Sequence, residues 1–183
     1  IYLGLSYRDD VTTALTHGND MIITNSFSKY FNMTGWRLGW LVVPHEWRGA
    51  FEKLAQNLLI CASSLAQQAA LACFDPESRA VYEERKATFK ARRDYLVPAL
   101  ESIGLKVPTT PDGAFYIYAD ISAFSEDSSR FAYDLLNNTG VALVPGKDFG
   151  IKDSDKYVRI SYANSMDNLR EAVSRIDGFV NKR

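Results

Sequence analysis

The stretch that most constrains this chain runs from residue 25 to residue 40 and reads N-S-F-S-K-Y-F-N-M-T-G-W-R-L-G-W. Apolar runs precede and follow it, so the pattern predicts two strands joined by a polar turn. Two serine hydroxyls stand beside Lys29, and the planar guanidinium of Arg37 lies eight positions further on. These groups suit a bound phosphate, with the amine of Lys29 kept for covalent chemistry. A lone lysine is more often a surface residue, and it is the whole pattern that favours an anion site.

Composition excludes several classes of function. The chain has 183 residues and a net charge of −1, which indicates neither a nucleic-acid groove nor a polybasic membrane surface. No apolar run approaches the roughly 18 residues of a membrane span. Cys61 and Cys73 are predicted on different faces of one helix, so no disulfide is expected. The two histidines are far apart, so no metal site is expected, and a cytoplasmic protein is the default prediction.

Hydrophobic periodicity predicts an α/β chain. Before residue 75 it predicts strands over 21–24 and 38–43, the second covered on both faces, and one helix from Glu46 to Cys73. A long helix should begin at Pro76 and end at Gly104. Beyond it, the pattern predicts strands over 114–121, 141–144 and 157–162, a helix capped by Ser125, and a last helix capped by Ser165. The order helix–strand–helix–strand–strand–helix is typical of a compact α/β layer.

A second candidate site residue is Arg159, which lies in a predicted strand of β-branched and aromatic residues. A buried charge without a partner is costly, so an arginine in this position favours a ligand-binding role. The aromatic residues Phe115, Tyr116, Tyr118 and Phe149 are interpreted as core or pocket wall.

The pattern S-x-S-K-x(5)-G-x-R-x-G resembles the lysine signature of the class I/II, fold-type I, pyridoxal-phosphate-dependent aminotransferases. Four further segments resemble conserved blocks of that family: Y-L-G-L-S-Y, G-A-F-Y-I-Y, P-G-K-D-F-G and Y-V-R-I-S-Y-A. Their order along the chain is similar to the C-terminal half of such an enzyme. The resemblance implies that residues 1–75 form the C-terminal part of a cofactor-binding large domain, a mixed sheet with helices. Residues 76–183 would form a linker helix and a small α/β domain.

The resemblance also implies roles for individual residues. Lys29 would be catalytic, forming the covalent bond to the aldehyde of pyridoxal phosphate and moving a proton at the substrate Cα. Ser26, Ser28 and Arg37 would bind the phosphate, and Tyr2 would bind the phenolic oxygen of the cofactor. Arg159 would bind the substrate α-carboxylate. Tyr2 as a core aromatic, and either serine as a cap of the local turn, are the open alternatives.

In the family, an aspartate that protonates the pyridine nitrogen stands three residues before the position of Tyr2, which is upstream of Ile1. We therefore expect the 183-residue chain alone to have little or no transaminase activity. The resemblance also implies a homodimer acting on an amino acid and a 2-oxo acid. A pyridoxal-phosphate-sensing regulator domain, a lyase or synthase on the same scaffold, and a structural fragment without activity are the alternatives, and the amino donor is not readable from the sequence.

Overall fold

The computed structural model describes residues 1–181, which group into two compact units divided between residues 87 and 88. Each unit is described by itself, and the long helix α3 (Pro76–Ser102) contributes residues to both. Among the described residues, no helix combines the length and the apolar character needed to cross a membrane.

The first unit is built on a hairpin of two antiparallel strands, β1 (Ile23–Ser26) and β2 (Gly39–Val42). In this register Ser26 lies opposite Gly39, so the loop between the strands carries residues 27–38. Both predicted strands are present, but the prediction that β2 is covered on both faces is wrong. Leu41 is 53% exposed, whereas the neighbouring Trp40 packs against Phe27, so β2 is covered on one face in the described residues.

The predicted single helix from Glu46 to Cys73 is in fact two helices, α1 (Arg48–Leu58) and α2 (Ser64–Leu71). Ile60 has a φ of 65°, and the Cys61 N–H donates to the Leu59 carbonyl at 2.8 Å. This turn is strained for a β-branched residue and ends the helix, and the Ser63 hydroxyl then caps α2. Cys61 is therefore outside the helices and exposed, whereas Cys73 is buried, and both are free thiols.

Aromatic residues contribute to the core of the first unit together with smaller apolar residues. Phe27 and Tyr82 are buried with Met33, Ala70 and Cys73. The Phe27 ring centroid lies 4.9 Å from that of Phe31. Because Phe27 belongs to the loop of the hairpin, this core fixes the segment that carries Lys29.

The second unit follows the predicted order of elements. After α3 come β3 (Tyr116–Asp120), α4 (Ser128–Thr139), β4 (Val144–Pro145), β5 (Tyr157–Ser161) and α5 (Met166–Val180). The strands form one antiparallel sheet in the order β3-β5-β4. Ser165 caps α5 as predicted, but α4 is capped by Asp127 rather than Ser125, because its carboxylate accepts from two backbone N–H groups.

The two faces of this sheet differ in burial. Ile117, Ala119, Val158 and Ile160 are buried on one face, where they form the core of the unit. The alternate positions of β3 and β5 carry Tyr116, Tyr118 and Arg159, and Tyr118 lies directly opposite Arg159 in the register. The sheet therefore separates an apolar core from a face of aromatic side chains around one arginine.

Replacing Gly39 by alanine should destabilise the hairpin, because a Cβ atom there would lie 2.6 Å from the backbone oxygen of Asn25. Backbone cannot move aside cheaply, so we expect Gly39→Ala to lower the free energy of unfolding by about 1–3 kcal/mol. Urea denaturation followed by circular dichroism measures this loss. The matched control is Gly35→Ala, for which no atom lies within 4 Å of the new Cβ. It should stay within about 0.5 kcal/mol of the wild type, and equal losses in the two variants would contradict the assignment.

Tyr30 should make the stability of the protein depend on alkaline pH. Burial, followed by the hydrogen bond from its hydroxyl to the Glu83 carboxylate at 2.5 Å, raises the pKa of Tyr30 to about 12. The stabilisation is therefore complete below the ordinary tyrosine pKa and is lost as the pH rises from about 10 to about 12. Urea midpoints of the wild type should fall toward those of Tyr30→Phe over this range. A constant difference between the two proteins would show that Tyr30 does not titrate in this way.

Candidate functional site

The loop that carries Lys29 is closed by its own backbone hydrogen bonds. Phe27 N–H donates to the Leu38 carbonyl at 3.0 Å, and Met33 N–H donates to the Phe27 carbonyl at 2.9 Å. Asn32 N–H donates to the carbonyl of Lys29 at 3.0 Å. Lys29 thus stands in a turn at the end of β1 whose backbone is defined on both sides.

The two serines predicted to bind a phosphate lie together. The Ser26 hydroxyl oxygen accepts the Ser28 N–H at 3.0 Å, which leaves the hydroxyl hydrogen of Ser26 available to an acceptor. The hydroxyl of Ser28 has no hydrogen bond to another described residue. Both side chains are half-buried, so two hydroxyl donors remain for a ligand.

Arg37 joins this group through Thr34. One terminal nitrogen of its guanidinium donates to the Thr34 carbonyl at 2.9 Å, and the Thr34 hydroxyl donates to the Ser28 carbonyl at 2.6 Å. The backbone of Arg37 is left-handed, with a φ of 53°, which costs about 1–3 kcal/mol for a residue with a side chain. Within residues 1–181, no carboxylate forms an ion pair with Arg37. The remaining N–H groups of its planar fork are available for a bound anion.

Tyr2 lies beside Lys29, whose Nζ is 5.7 Å from the centroid of the Tyr2 ring. Gly4, two residues after Tyr2, lies directly against the Tyr30 ring, from which a Cβ atom at this position would be only 2.5 Å away. The segment of Tyr2 can therefore pack against the residue that follows Lys29 in sequence. The contact of Tyr30 with the segment of Tyr2 was not predicted from the sequence. Its only signal there is the glycine two positions after Tyr2.

The first unit therefore brings five predicted site residues into one hairpin and the segment beside it: Tyr2, Ser26, Ser28, Lys29 and Arg37. Two hydroxyls and one guanidinium without a carboxylate partner match the donors that a phosphate monoester requires. The residues present thus fit the phosphate of pyridoxal phosphate, with a lysine amine in the same loop.

Arg159 belongs to the second unit and lies against two rings. Its Cζ is 4.3 Å from the ring centroid of Tyr116 and 4.3 Å from that of Phe149. Its Nε is buried and has no hydrogen-bond partner among the described residues. Tyr116, Phe149 and Arg159 line an open cavity of about 540 Å³. A cation with unused donors at such a cavity suits a carboxylate ligand.

Comparisons with known proteins find matches that extend over both units. The sequence profile described as "Aminotransferase class I and II" matches residues 1–176. A valine–pyruvate aminotransferase of Mycobacterium tuberculosis is 41% identical over 98% of this chain and 47% of its own length. A (5-formylfuran-3-yl)methyl phosphate transaminase of Methanocaldococcus jannaschii is 39% identical over 100% of this chain and 49% of its own length.

A solved structure of an aminotransferase from Mycobacterium tuberculosis superposes with a TM-score of 0.95 at 40% identity, covering 100% of this chain and 48% of that one. The chain spans about half the length of the curated relatives it matches. This structural match confirms the predicted fold class, which is the C-terminal part of a large domain followed by a small α/β domain. By its profile, its relatives and its fold, this chain belongs to the class I and II aminotransferase family.

Proposed function

We propose that the full-length protein to which this chain belongs transfers an amino group between an amino acid and a 2-oxo acid with pyridoxal phosphate bound at Lys29, and that the 183-residue chain alone has little or no such activity. The observation that carries this proposal is the Lys29 hairpin, in which an amine lies with two hydroxyls and with a guanidinium that has no carboxylate partner among the described residues. Members of the family use this cofactor, and the named relatives are transaminases, which favours transfer over a lyase or synthase reaction.

In this proposal, Arg37 and the hydroxyls of Ser26 and Ser28 bind the phosphate and so fix the cofactor aldehyde near Lys29. Lys29 would hold that aldehyde through its Nζ, and its amine, when free, would carry a proton to and from the substrate Cα. Tyr2 donates a hydrogen bond to the phenolic oxygen of the cofactor. Pyridoxal phosphate itself supplies the electron sink for the bonds at Cα.

Arg159 would bind the α-carboxylate of the substrate through two parallel N–H···O bonds, which orients the Cα bonds. Its buried Nε without a partner supports this role, because a donor in that position gains from an external acceptor. The amino donor stays open, since the two named relatives act on different compounds. The division into domains 1–75 and 76–183, the homodimer and the cytoplasmic location remain predictions.

Covalent attachment at Lys29 can be tested without any substrate. When the full-length protein is incubated with pyridoxal phosphate and reduced with borohydride, the cofactor should be trapped on the peptide that contains Lys29. Lys29→Ala should lose this label completely, because no other residue of the hairpin offers an amine. Mass spectrometry measures the label. Lys53→Ala, which removes an exposed lysine of α1, is the control and should retain it. Equal labelling of the two variants would contradict the proposal.

Comparing two ligands can distinguish phosphate binding by Arg37 from a general effect of the substitution on the structure. Arg37→Ala should weaken binding of pyridoxal phosphate by about 10-fold to 100-fold, the range expected for a charged hydrogen-bonding group. Binding of pyridoxal, which lacks the phosphate, should change by less than about twofold. Fluorescence titration measures both affinities. Arg37→Lys keeps the charge without the planar fork and should be intermediate. Equal losses for the two ligands would place Arg37 outside the phosphate site.

A further inference from the structure

The guanidinium of Arg159 is held by aromatic faces instead of by carboxylates. Tyr116 and Phe149 both contact it, each with its ring centroid 4.3 Å from Cζ. None of its N–H groups donates to another described residue. Ring faces attract a cation without using its N–H donors, so this arrangement fixes the guanidinium and leaves its planar fork for a ligand.

Another arginine of the same unit is held by hydrogen bonds instead of by aromatic rings. Arg93 is buried, and its guanidinium donates to the Asp94 carboxylate at 2.6 Å and to the Pro111 carbonyl at 2.6 Å. Its donors are used within the protein, as is expected of a structural arginine. Arg159 has no such partner, and so its rings are the contacts that set its position.

The two rings are supported differently. Tyr116 lies in β3, where its ring centroid is 4.4 Å from that of Phe115. Phe149 comes from the loop between β4 and β5 and is 48% exposed. Its position therefore depends on how that loop is fixed.

Contacts at both ends fix the loop of Phe149. At the first end, Gly146 has no space for a Cβ, which would collide with the Ser154 carbonyl and lie 2.5 Å from the Tyr118 hydroxyl. At the other end, the buried Ser128 hydroxyl donates to the Ser154 carbonyl at 3.0 Å. The loop is thus held to the start of α4 and to the sheet.

Lys147 adds an electrostatic contact two residues before Phe149. Its Nζ lies 2.7 Å from the Asp155 carboxylate and 3.1 Å from that of Asp127, the residue that caps α4. Two carboxylates from different elements hold one lysine, which fixes the loop relative to the helix.

We propose that Phe149 and Tyr116 are positioning residues, which hold the guanidinium plane of Arg159 for a carboxylate ligand, and that Lys147 fixes the loop that carries Phe149. The inference rests on the proposed function, because it takes the ligand to be the carboxylate of an amino acid or 2-oxo acid. The aromatic clamp orients the fork before the ligand arrives, so its loss weakens ligand binding without removing any ligand contact made by Arg159.

Nuclear magnetic resonance tests the clamp itself, independently of catalysis. Two ring faces should move the Nε–H proton of Arg159 upfield in the arginine-labelled chain. Phe149→Leu should return it downfield, whereas Phe149→Tyr should leave it close to the wild-type position. Tyr133→Leu, which removes an exposed ring of α4, is the control and should not move it. A wild-type Arg159 signal without the upfield shift would overturn the proposal.

Kinetics of the full-length protein with pyruvate as the 2-oxo acid test the consequence. Phe149→Leu should raise KM for pyruvate by about threefold to thirtyfold with kcat little changed. Phe149→Tyr and Tyr133→Leu should stay within about twofold of the wild type. Lys147→Met should raise KM by about two- to fivefold, whereas Lys156→Met, which breaks an ion pair to Asp153 alone, should not.

The outcomes separate this inference from the proposed function. If Arg159→Leu leaves KM for pyruvate unchanged, Arg159 does not bind the carboxylate and this inference fails, whereas the function proposed for Lys29 is judged by the borohydride labelling. If Arg159→Leu raises KM but Phe149→Leu moves only the Nε–H signal, the function stands and the positioning role of Phe149 is overturned. A higher KM together with the moved signal in Phe149→Leu, absent in Tyr133→Leu, supports the inference.

Discussion

Burial of Phe27 is the interaction on which the first unit depends. Its ring packs against Phe31, Trp40 and Phe74, with centroid distances of 4.9, 5.1 and 6.2 Å. These rings come from the loop, from β2 and from the turn after α2, so one side chain joins three parts of the unit. Ser26 and Ser28 flank this ring, and Lys29 follows directly. The polar residues of the candidate site are therefore fixed by an apolar neighbour as well as by the hydrogen bonds among themselves.

The parts of the fold that could be predicted are those with a local physical cause. The strands around Lys29 follow from β-branched and apolar runs, and the cap at Ser165 follows from a hydroxyl before an amphipathic helix. The order of elements from Pro76 onward follows from changes in periodicity. Among the site residues, the placement of Ser26, Ser28 and Arg37 in one hairpin was predictable, because they are close in sequence.

The parts that could not be predicted depend on contacts or on backbone choices that periodicity does not record. Apolar residues continue through Leu58, Leu59 and Ile60, and so the helix was expected to continue, yet these side chains are 73–82% exposed and the backbone turns at Ile60. Asp127 replaces Ser125 as the cap of α4 because its carboxylate accepts two N–H groups. The rings around Arg159 come from β3 and from a distant loop, and only the folded sheet brings them together.

Gly39 has a consequence for the geometry of the anion site. Its missing Cβ allows the Asn25 carbonyl to approach, and any other residue of β2 in that position would collide with it. The glycine therefore selects one register of the hairpin out of several that the apolar pattern permits. A slip by one residue would displace β2 by about 3.3 Å along the strand relative to Ser26, and Arg37, two residues before Gly39, would be displaced with it. A residue without a side chain thus sets the spacing between the hydroxyls and the guanidinium.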